Sequence, residues 1–266
     1  MATATKKQTP APEFTRTREF IRRYIVLDAD ALDVATVWAM HTHLFSPACE
    51  TPPTTPYLYI TAPKGSGKTL FGQDVLGCIT RAPMPTVGIT GPGLIRLVGG
   101  GDDDGGEFED ADSAHAAAAP TLMVDEVDAL YAGSKDEVLR MMLNAGYRRG
   151  GVVPRVVGKS VVNYSAFCPK VLMGIDNGHL PDTVADRSIR INLKRASADD
   201  MLTVEPFYSY EVEDESAELI QELSTWAKRN SEAIKAYKPT PVPEIAKVPR
   251  HWEIARTLVQ VARAAG

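Results

Sequence analysis

The sequence predicts an α/β fold in which helices cover both faces of a mostly parallel central sheet. Short segments rich in β-branched and aromatic residues alternate along the middle of the chain with segments of helical periodicity, as in strand–helix–strand units. A length of 266 residues with 44% hydrophobic content is enough for one such domain and a small appendage. We therefore expect a three-layer sandwich followed by a small helical C-terminal lid.

Strands are expected where apolar runs are bounded by turn-forming residues. The sheet strands are predicted at 57–61, 86–90, 121–125, 170–175 and 188–193. Residues 152–164 alternate β-branched side chains around Pro154 and Gly158, which is typical of a β-hairpin or an extended arm.

Helices are expected where apolar residues recur at helical spacing. They are predicted within 14–45, with Asp28 or Asp30 as an N-cap, and at 68–79, 94–98, 135–145, 214–234 and 249–265. The chain then divides into a disordered tail (1–13), an N-terminal helical segment (14–56), a core (57–195) and a helical lid (196–266).

The formal net charge of -5 has a local origin. Residues 101–120 carry seven acidic side chains and neither Lys nor Arg, and without them the rest of the chain would be slightly positive. The segment has few apolar side chains, which favours a mobile, solvated insertion over an acidic docking element. Three widely spaced cysteines, no apolar run long enough to span a bilayer and no signal peptide predict a soluble cytoplasmic protein without a membrane partner.

A glycine-rich turn follows the first predicted strand. Residues 62–69 read A-P-K-G-S-G-K-T, in which Gly65 and Gly67 allow backbone N–H groups to surround phosphate oxygens. In this pattern Lys68 reaches the β- and γ-phosphates and Thr69 ligates Mg²⁺. Ala62 departs from the strict pattern, which has glycine there, so a chance Gly/Ser turn stays an alternative.

Two further strands end in polar residues. The apolar run 122–124 ends in Asp125 and Glu126, carboxylates suited to holding Mg²⁺ and to activating a water as general base. The run 171–175 leads to Asn177, which is expected at the carboxyl edge of the sheet to orient the attacking water. An exposed strand end and an ordinary Asp-Asn-Gly turn are the competing interpretations.

Taken in order, these motifs resemble the Walker A, Walker B, sensor 1 and arginine-finger regions of AAA+ P-loop ATPases. The segments 37–43, 143–150, 180–189 and 258–266 more narrowly resemble a family of P-loop domains from actinobacteria, their phages and mobile elements, often linked to primase and helicase modules. The resemblance covers roughly 18–266. It implies a P-loop NTPase fold, binding of ATP and Mg²⁺, and a homo-oligomer for which a hexameric ring is favoured.

The resemblance also assigns roles to single residues. It implies that Arg187 is an arginine finger acting on a neighbouring subunit, with Arg190 as the fallback, and that Arg250 reaches the nucleotide from the lid. Ordinary surface salt bridges are the alternative for these arginines. The nucleotide is expected to lie against Pro63, Lys64, Gly65, Ser66, Gly67, Lys68, Thr69 and Leu70.

The basic segment 146–159 leaves the biological role open. Arg148, Arg149, Arg155 and Lys159 would suit a nucleic-acid backbone, but solvated arginines on a hairpin are an equally good interpretation. The leading hypothesis is a DNA-associated motor, a helicase or helicase loader acting with replication proteins in phage or mobile-element replication. The alternative is a protein-remodelling or signalling switch. A small-molecule kinase is disfavoured, because the sequence indicates no pocket for a second substrate. A GTPase is disfavoured, because no N-K-x-D motif follows.

Overall fold

The computed structural model describes residues 9–86, 93–95, 98, 119–128, 137–175 and 180–266. Five of its strands form one sheet in the order β2-β3-β6-β1-β7, and every neighbouring pair is parallel. The other two strands form an antiparallel hairpin. The strands are β1 (Tyr57–Thr61), β2 (Pro83–Pro85), β3 (Thr121–Val124), β4 (Val152–Val157), β5 (Ser160–Ser165), β6 (Lys170–Gly174) and β7 (Ser188–Asn192).

The central strands are buried on both faces, which explains why their sequences are almost continuously apolar. Every residue of β1, β3 and β6 is buried. Along β1, Leu58 and Ile60 belong to one hydrophobic cluster while Tyr57 and Tyr59 belong to a second. This alternation means that the sheet has a packed layer on each side, so the predicted α/β architecture with a parallel sheet is confirmed.

The helices are distributed between these two layers. They are α1 (Pro12–Tyr24), α2 (Ala29–Thr42), a π-helical segment (Leu70–Val75), α3 (Glu137–Ala145), α4 (Asp182–Ala185), α5 (Ala198–Met201), α6 (Glu213–Ala236), α7 (Pro243–Ala246) and α8 (Pro249–Ala265). The first cluster joins α1, α2, the π-helical segment, α6 and α8, whereas the second joins α3 and the base of the hairpin. Asp28 caps α2 as predicted, accepting a hydrogen bond from the backbone N–H of Ala31 at 2.8 Å.

Two elements differ from the sequence prediction. A described strand lies at Pro83–Pro85, just before the second strand expected at 86–90, of which 87–90 are outside the described residues. Among the strands that the structure describes it lies at the edge of the sheet, where proline is tolerated because one side of the strand needs no partner. The helix expected over 68–79 is π-helical at Leu70–Val75 and is followed by turns. Within it, Gly72 packs so closely on β6 that a Cβ at this position would lie 2.3 Å from Met173 Sδ.

The two ends of the described chain meet. Helix α1 already begins at Pro12, inside the stretch expected to be a loose tail, and the Ala11 N–H donates to the Ala265 carbonyl at 2.7 Å. Ion pairs join α1 to α6, among them Arg16 with Glu218 at 2.9 Å. The C-terminal helices therefore share a hydrophobic core with the N-terminal ones.

Several predicted features cannot be placed on this architecture. Most of the acidic insertion (101–118), Asn177 and parts of the helix expected at 94–98 lie outside the described residues. Among the helices that are described, none is both long and apolar enough to cross a membrane.

Candidate phosphate-binding site

The glycine-rich loop begins directly after β1, at the carboxyl edge of the sheet. Gly65 and Gly67 have φ angles of +78° and +79°, a left-handed conformation that other residues adopt only at a cost in energy. A Cβ at either position would meet no atom within 4 Å. The backbone angle, rather than lack of space, is therefore what requires glycine at these two positions.

A hydrogen bond connects the loop to the end of β3. The Thr69 hydroxyl donates to Asp125 Oδ2 at 2.8 Å. Strand β6 lies between β1 and β3, so the loop must cross the end of β6 for this contact to form. The backbone N–H of Glu126 donates to the other carboxylate oxygen, Asp125 Oδ1, also at 2.8 Å. The two sequence motifs are thus brought together in space.

Other polar groups of the loop are compatible with an anionic ligand. Lys68 Nζ donates to the carbonyl oxygens of Ala62 at 3.1 Å and Pro63 at 3.5 Å. The hydroxyls of Thr61, the last residue of β1, and of Ser66 in the loop are buried and have no hydrogen-bond partner among the described residues. Buried polar groups are nearly always satisfied in proteins, so two orphaned hydroxyls beside a left-handed glycine turn fit a missing polar ligand.

Glu126 has an unusual backbone conformation. Its φ is +52°, one of two positive values among the described non-glycine residues. Its side chain is exposed at the same edge of the sheet as the loop. A left-handed glutamate costs energy and persists only where the surrounding structure determines it, which is common at functional sites.

Asp128 is a residue of this site that the sequence analysis missed. Its Oδ1 accepts a hydrogen bond from the backbone N–H of Ile175 at 3.1 Å, just beyond the end of β6. The available signal was a third carboxylate in the run D-E-V-D at 125–128, of which only Asp125 and Glu126 were given a role from the sequence. Asn177 itself is outside the described residues, but Ile175 shows that β6 delivers the chain to this edge.

The predicted arginines lie at the opposite edge of the sheet. The Arg187 carbonyl accepts from the N–H of Tyr57, the first residue of β1, and the two edges are about 13 Å apart along that strand. Arg250 is in the first turn of α8, next to His251, whose Nε2 lies 3.6 Å from Asp186 Oδ1. Within one chain, neither arginine is brought to the glycine-rich loop.

Arg187 is also largely buried. Only 9% of the residue is exposed, its guanidinium lies 4.8 Å from the centre of the Tyr147 ring, and Nη1 donates to the Thr183 carbonyl. Its Nε has no hydrogen-bond partner among the residues that the structure describes. The fallback residue Arg190 is exposed in the middle of the edge strand β7, 5.3 Å from the Tyr59 ring centre.

The four basic residues of the hairpin region do not share one face. Arg148 pairs with Glu253 of α8 and lies against Tyr147 at the hairpin base. Arg155 is on the same face of β4 as buried Val153 and is half-buried. Arg149 and Lys159 are exposed, Arg149 beside the base and Lys159 at the tip. Unlike Arg148, these two exposed side chains form no ion pair with the described residues of α8.

No group of three or more His, Cys, Asp or Glu side chains suited to a metal occurs among the described residues. Mg²⁺ does not need such a group, because it commonly uses one or two carboxylates, a hydroxyl, phosphate oxygens and water. Thr69 and Asp125 are therefore sufficient protein ligands for a nucleotide-bound Mg²⁺.

Comparison with protein-family models finds no match to this chain, and comparison with curated proteins finds no significant sequence similarity. The site geometry and the motif resemblance are therefore the basis for a function.

Proposed function

We propose that the chain is an ATP-hydrolysing P-loop ATPase of the AAA+ type, with a P-loop NTPase form of the α/β sandwich. The observation that carries this proposal is the 2.8 Å hydrogen bond from Thr69 to Asp125. A threonine after a Gly-x-Gly-Lys turn and an aspartate at the end of a buried strand are the pair that holds Mg²⁺ in such enzymes.

The remaining residues have roles that follow from their positions. The phosphates would lie against residues 63–70 and accept hydrogen bonds from the N–H groups of residues 64–70, and Lys68 would exchange its loop carbonyls for phosphate oxygens. Bound Mg²⁺ would neutralise charge that develops on the phosphates. Glu126 would accept the proton of the attacking water as general base, with Asn177 as the proposed orienting residue. Arg187 and Arg250 both lie far from the glycine-rich loop of their own chain. Any role of these arginines in hydrolysis would therefore be at the loop of a neighbouring subunit in a homo-oligomeric ring.

The proposed work of this ATPase is on DNA, as a helicase or helicase loader. The exposed Arg149 and Lys159 support the proposal, because cations beside the base and at the tip of a hairpin can neutralise backbone phosphates. The protein-remodelling alternative is favoured by the same hairpin's apolar outer face, on which Val156 and Val161 are paired and 75% and 66% exposed.

ATP turnover with and without single-stranded DNA tests both levels of this proposal. We expect turnover by the wild-type protein, stimulated by DNA, and a loss of stimulation with unchanged basal rate in Arg149→Gln/Lys159→Gln. Lys238→Gln/Lys247→Gln, which removes two exposed cations elsewhere, is the matched control and should keep the stimulation. DNA-independent turnover would leave the ATPase but exclude the DNA motor, whereas no turnover under any condition would exclude the ATPase.

A further inference from the structure

Asp125 and Glu126 lie together in the short turn that directly follows β3. We infer that Asp128 is the positioning residue that fixes the conformation of this turn for hydrolysis. The inference rests on the proposed function, because the geometry of the two carboxylates matters to turnover only if the site hydrolyses a nucleotide. In this role Asp128 acts through the backbone of the turn, and Asp125 and Glu126 remain the groups proposed to contact the metal and the attacking water.

The hydrogen bond from the Ile175 N–H to Asp128 Oδ1 joins two neighbouring strands at their carboxyl ends. One end is β3, which carries Asp125 and Glu126, and the other is β6, which lies between β3 and the phosphate loop. The bond therefore connects the turn to the strand over which the loop passes. Asp128 is half-buried, which strengthens a hydrogen bond to a carboxylate relative to the same bond in water.

Gly174 shows how closely the turn approaches β6. A Cβ at this position would lie 2.8 Å from Asp128 Oδ1 and 3.0 Å from Val127 Cγ1. A side chain here would displace one or both groups. The absence of a side chain at the last residue of β6 is thus a condition for the Asp128 contact.

The turn requires such an anchor because Glu126 has a left-handed backbone. Asp125 already accepts hydrogen bonds from Thr69 and from the Glu126 N–H, and it is the proposed metal ligand. The hydrogen bond between Asp128 and the Ile175 N–H stays in place when Asp125 exchanges a hydrogen-bond partner for the metal. Without it, the turn can relax toward an ordinary backbone conformation and carry Glu126 away from the attacking water.

Steady-state kinetics of Asp128→Ala and Asp128→Asn with Mg-ATP tests this role. Alanine removes the acceptor, so we expect kcat to fall about tenfold to hundredfold while KM changes little. Asparagine keeps an acceptor oxygen, so it should restore kcat to within about threefold of wild type. Amide hydrogen exchange at Ile175 should accelerate in the alanine variant and not in the asparagine variant.

The possible results separate the inference from the proposed function. An unchanged kcat in D128A, an equal loss of kcat and of nucleotide affinity, or a D128N variant as slow as D128A would each overturn the positioning role and leave the ATPase intact. A wild-type protein without turnover would overturn both. Should D128A not fold, Gly174→Ala tests the same contact from β6, and a normal kcat there would contradict the inference.

Discussion

Lys68 and Glu126 make separable contributions at the scale of single residues. In the proposed site Lys68 would supply a cation to the phosphates, so Lys68→Ala should abolish ATP binding. Glu126→Gln keeps the size of the side chain but cannot accept a proton, so it should bind ATP normally and lose turnover by about a hundredfold or more. Fluorescent-nucleotide binding and phosphate release measure the two properties, with exposed Glu244→Gln as the control. Hydrolysis by E126Q at the normal rate would refute the assignment of the base.

The proposed role of Arg187 can be tested by mixing variant and wild-type subunits, because Arg187 lies too far from the glycine-rich loop of its own chain to act there. Arg187→Ala should leave ATP binding intact, and in mixtures with wild-type protein it should lower activity per wild-type subunit. Arg190→Ala is the matched comparison, since Arg190 is exposed on β7 and should not lower it. Constant activity per wild-type subunit at every ratio of R187A would refute the inter-subunit role, and an effect of R190A alone would transfer it to Arg190.

The contact of Arg187 with Tyr147 adds a condition to that experiment. Because the guanidinium is buried against the ring, it must leave this position to reach a neighbouring subunit. The thermal stability of R187A has to be measured beside its activity, so that loss of packing is not mistaken for loss of catalysis.

At the scale of elements, a buried lysine connects α3, the hairpin and β6. Lys170 is fully buried, and its Nζ donates to the carbonyls of Gly146 at 3.2 Å, Ala166 at 2.9 Å and Cys168 at 3.0 Å. Burial lowers the pKa of Lys170, while the Cys168 contacts oppose that shift. The side chain therefore satisfies the backbone where α3 and β5 end and β6 begins.

We expect Lys170→Met to lower the free energy of unfolding by about 3 kcal/mol, because it leaves three buried carbonyls without a donor. Urea denaturation monitored by tryptophan fluorescence measures the change. Lys238→Met, at an exposed site, should have a much smaller effect. Equal stability of K170M and wild type would mean that water or a local rearrangement satisfies the carbonyls.

The elements that could be predicted from the sequence are those whose side chains carry a clear pattern. Strands β1, β3, β6 and β7 combine apolar runs with flanking turn residues, and the turn at Gly65 and Gly67 has a composition tied to its geometry. The edge strand Pro83–Pro85 could not be predicted, because two prolines argue against a strand unless its position at the edge is known. Lys170 likewise looks like a surface residue until its three carbonyl partners are known.

The candidate site shows the same division. The proximity of Thr69 and Asp125 could be predicted because each belongs to a motif whose spacing reflects one loop or one strand end. The contact of Asp128 could not be predicted, since its partner is a backbone N–H at the end of β6, almost fifty residues later in the chain. Long-range backbone contacts of this kind leave no local pattern in a single sequence.

At the scale of the whole molecule, two buried histidines connect the N-terminal helices to the rest of the first packed layer. His41 Nδ1 donates to the Trp38 carbonyl, and its Nε2 accepts from the Thr55 hydroxyl at 2.8 Å. His43 Nε2 donates to the Ile79 carbonyl at 2.9 Å, and its Nδ1 is 3.1 Å from the hydroxyl of Ser224 in α6. Both rings are fully buried.

Burial lowers the pKa of His41 and of His43 to about 4. Above the ordinary value of about 6.5, both rings are neutral in the folded and unfolded states, so they give stability no pH dependence. Between about 6.5 and 4, the unfolded chain binds protons that the folded protein does not, so stability falls as the pH falls. The slope is up to about 1.4 kcal/mol per pH unit for each histidine, and it ends once the folded state is also protonated.

Urea unfolding between about pH 7.5 and pH 5 measures this slope directly. His43→Gln should be less stable than wild type at the upper end, because it disturbs the contacts with Ile79 and Ser224, yet its stability should decline less steeply as the pH is lowered. Thr42→Val, which removes a buried hydroxyl that hydrogen-bonds the Ala39 carbonyl and has no titratable group, is the control and should keep the wild-type slope. Parallel curves for H43Q and wild type would show that the acid sensitivity comes from carboxylates elsewhere, and that the buried histidines do not couple protonation to the packing of the N-terminal helices.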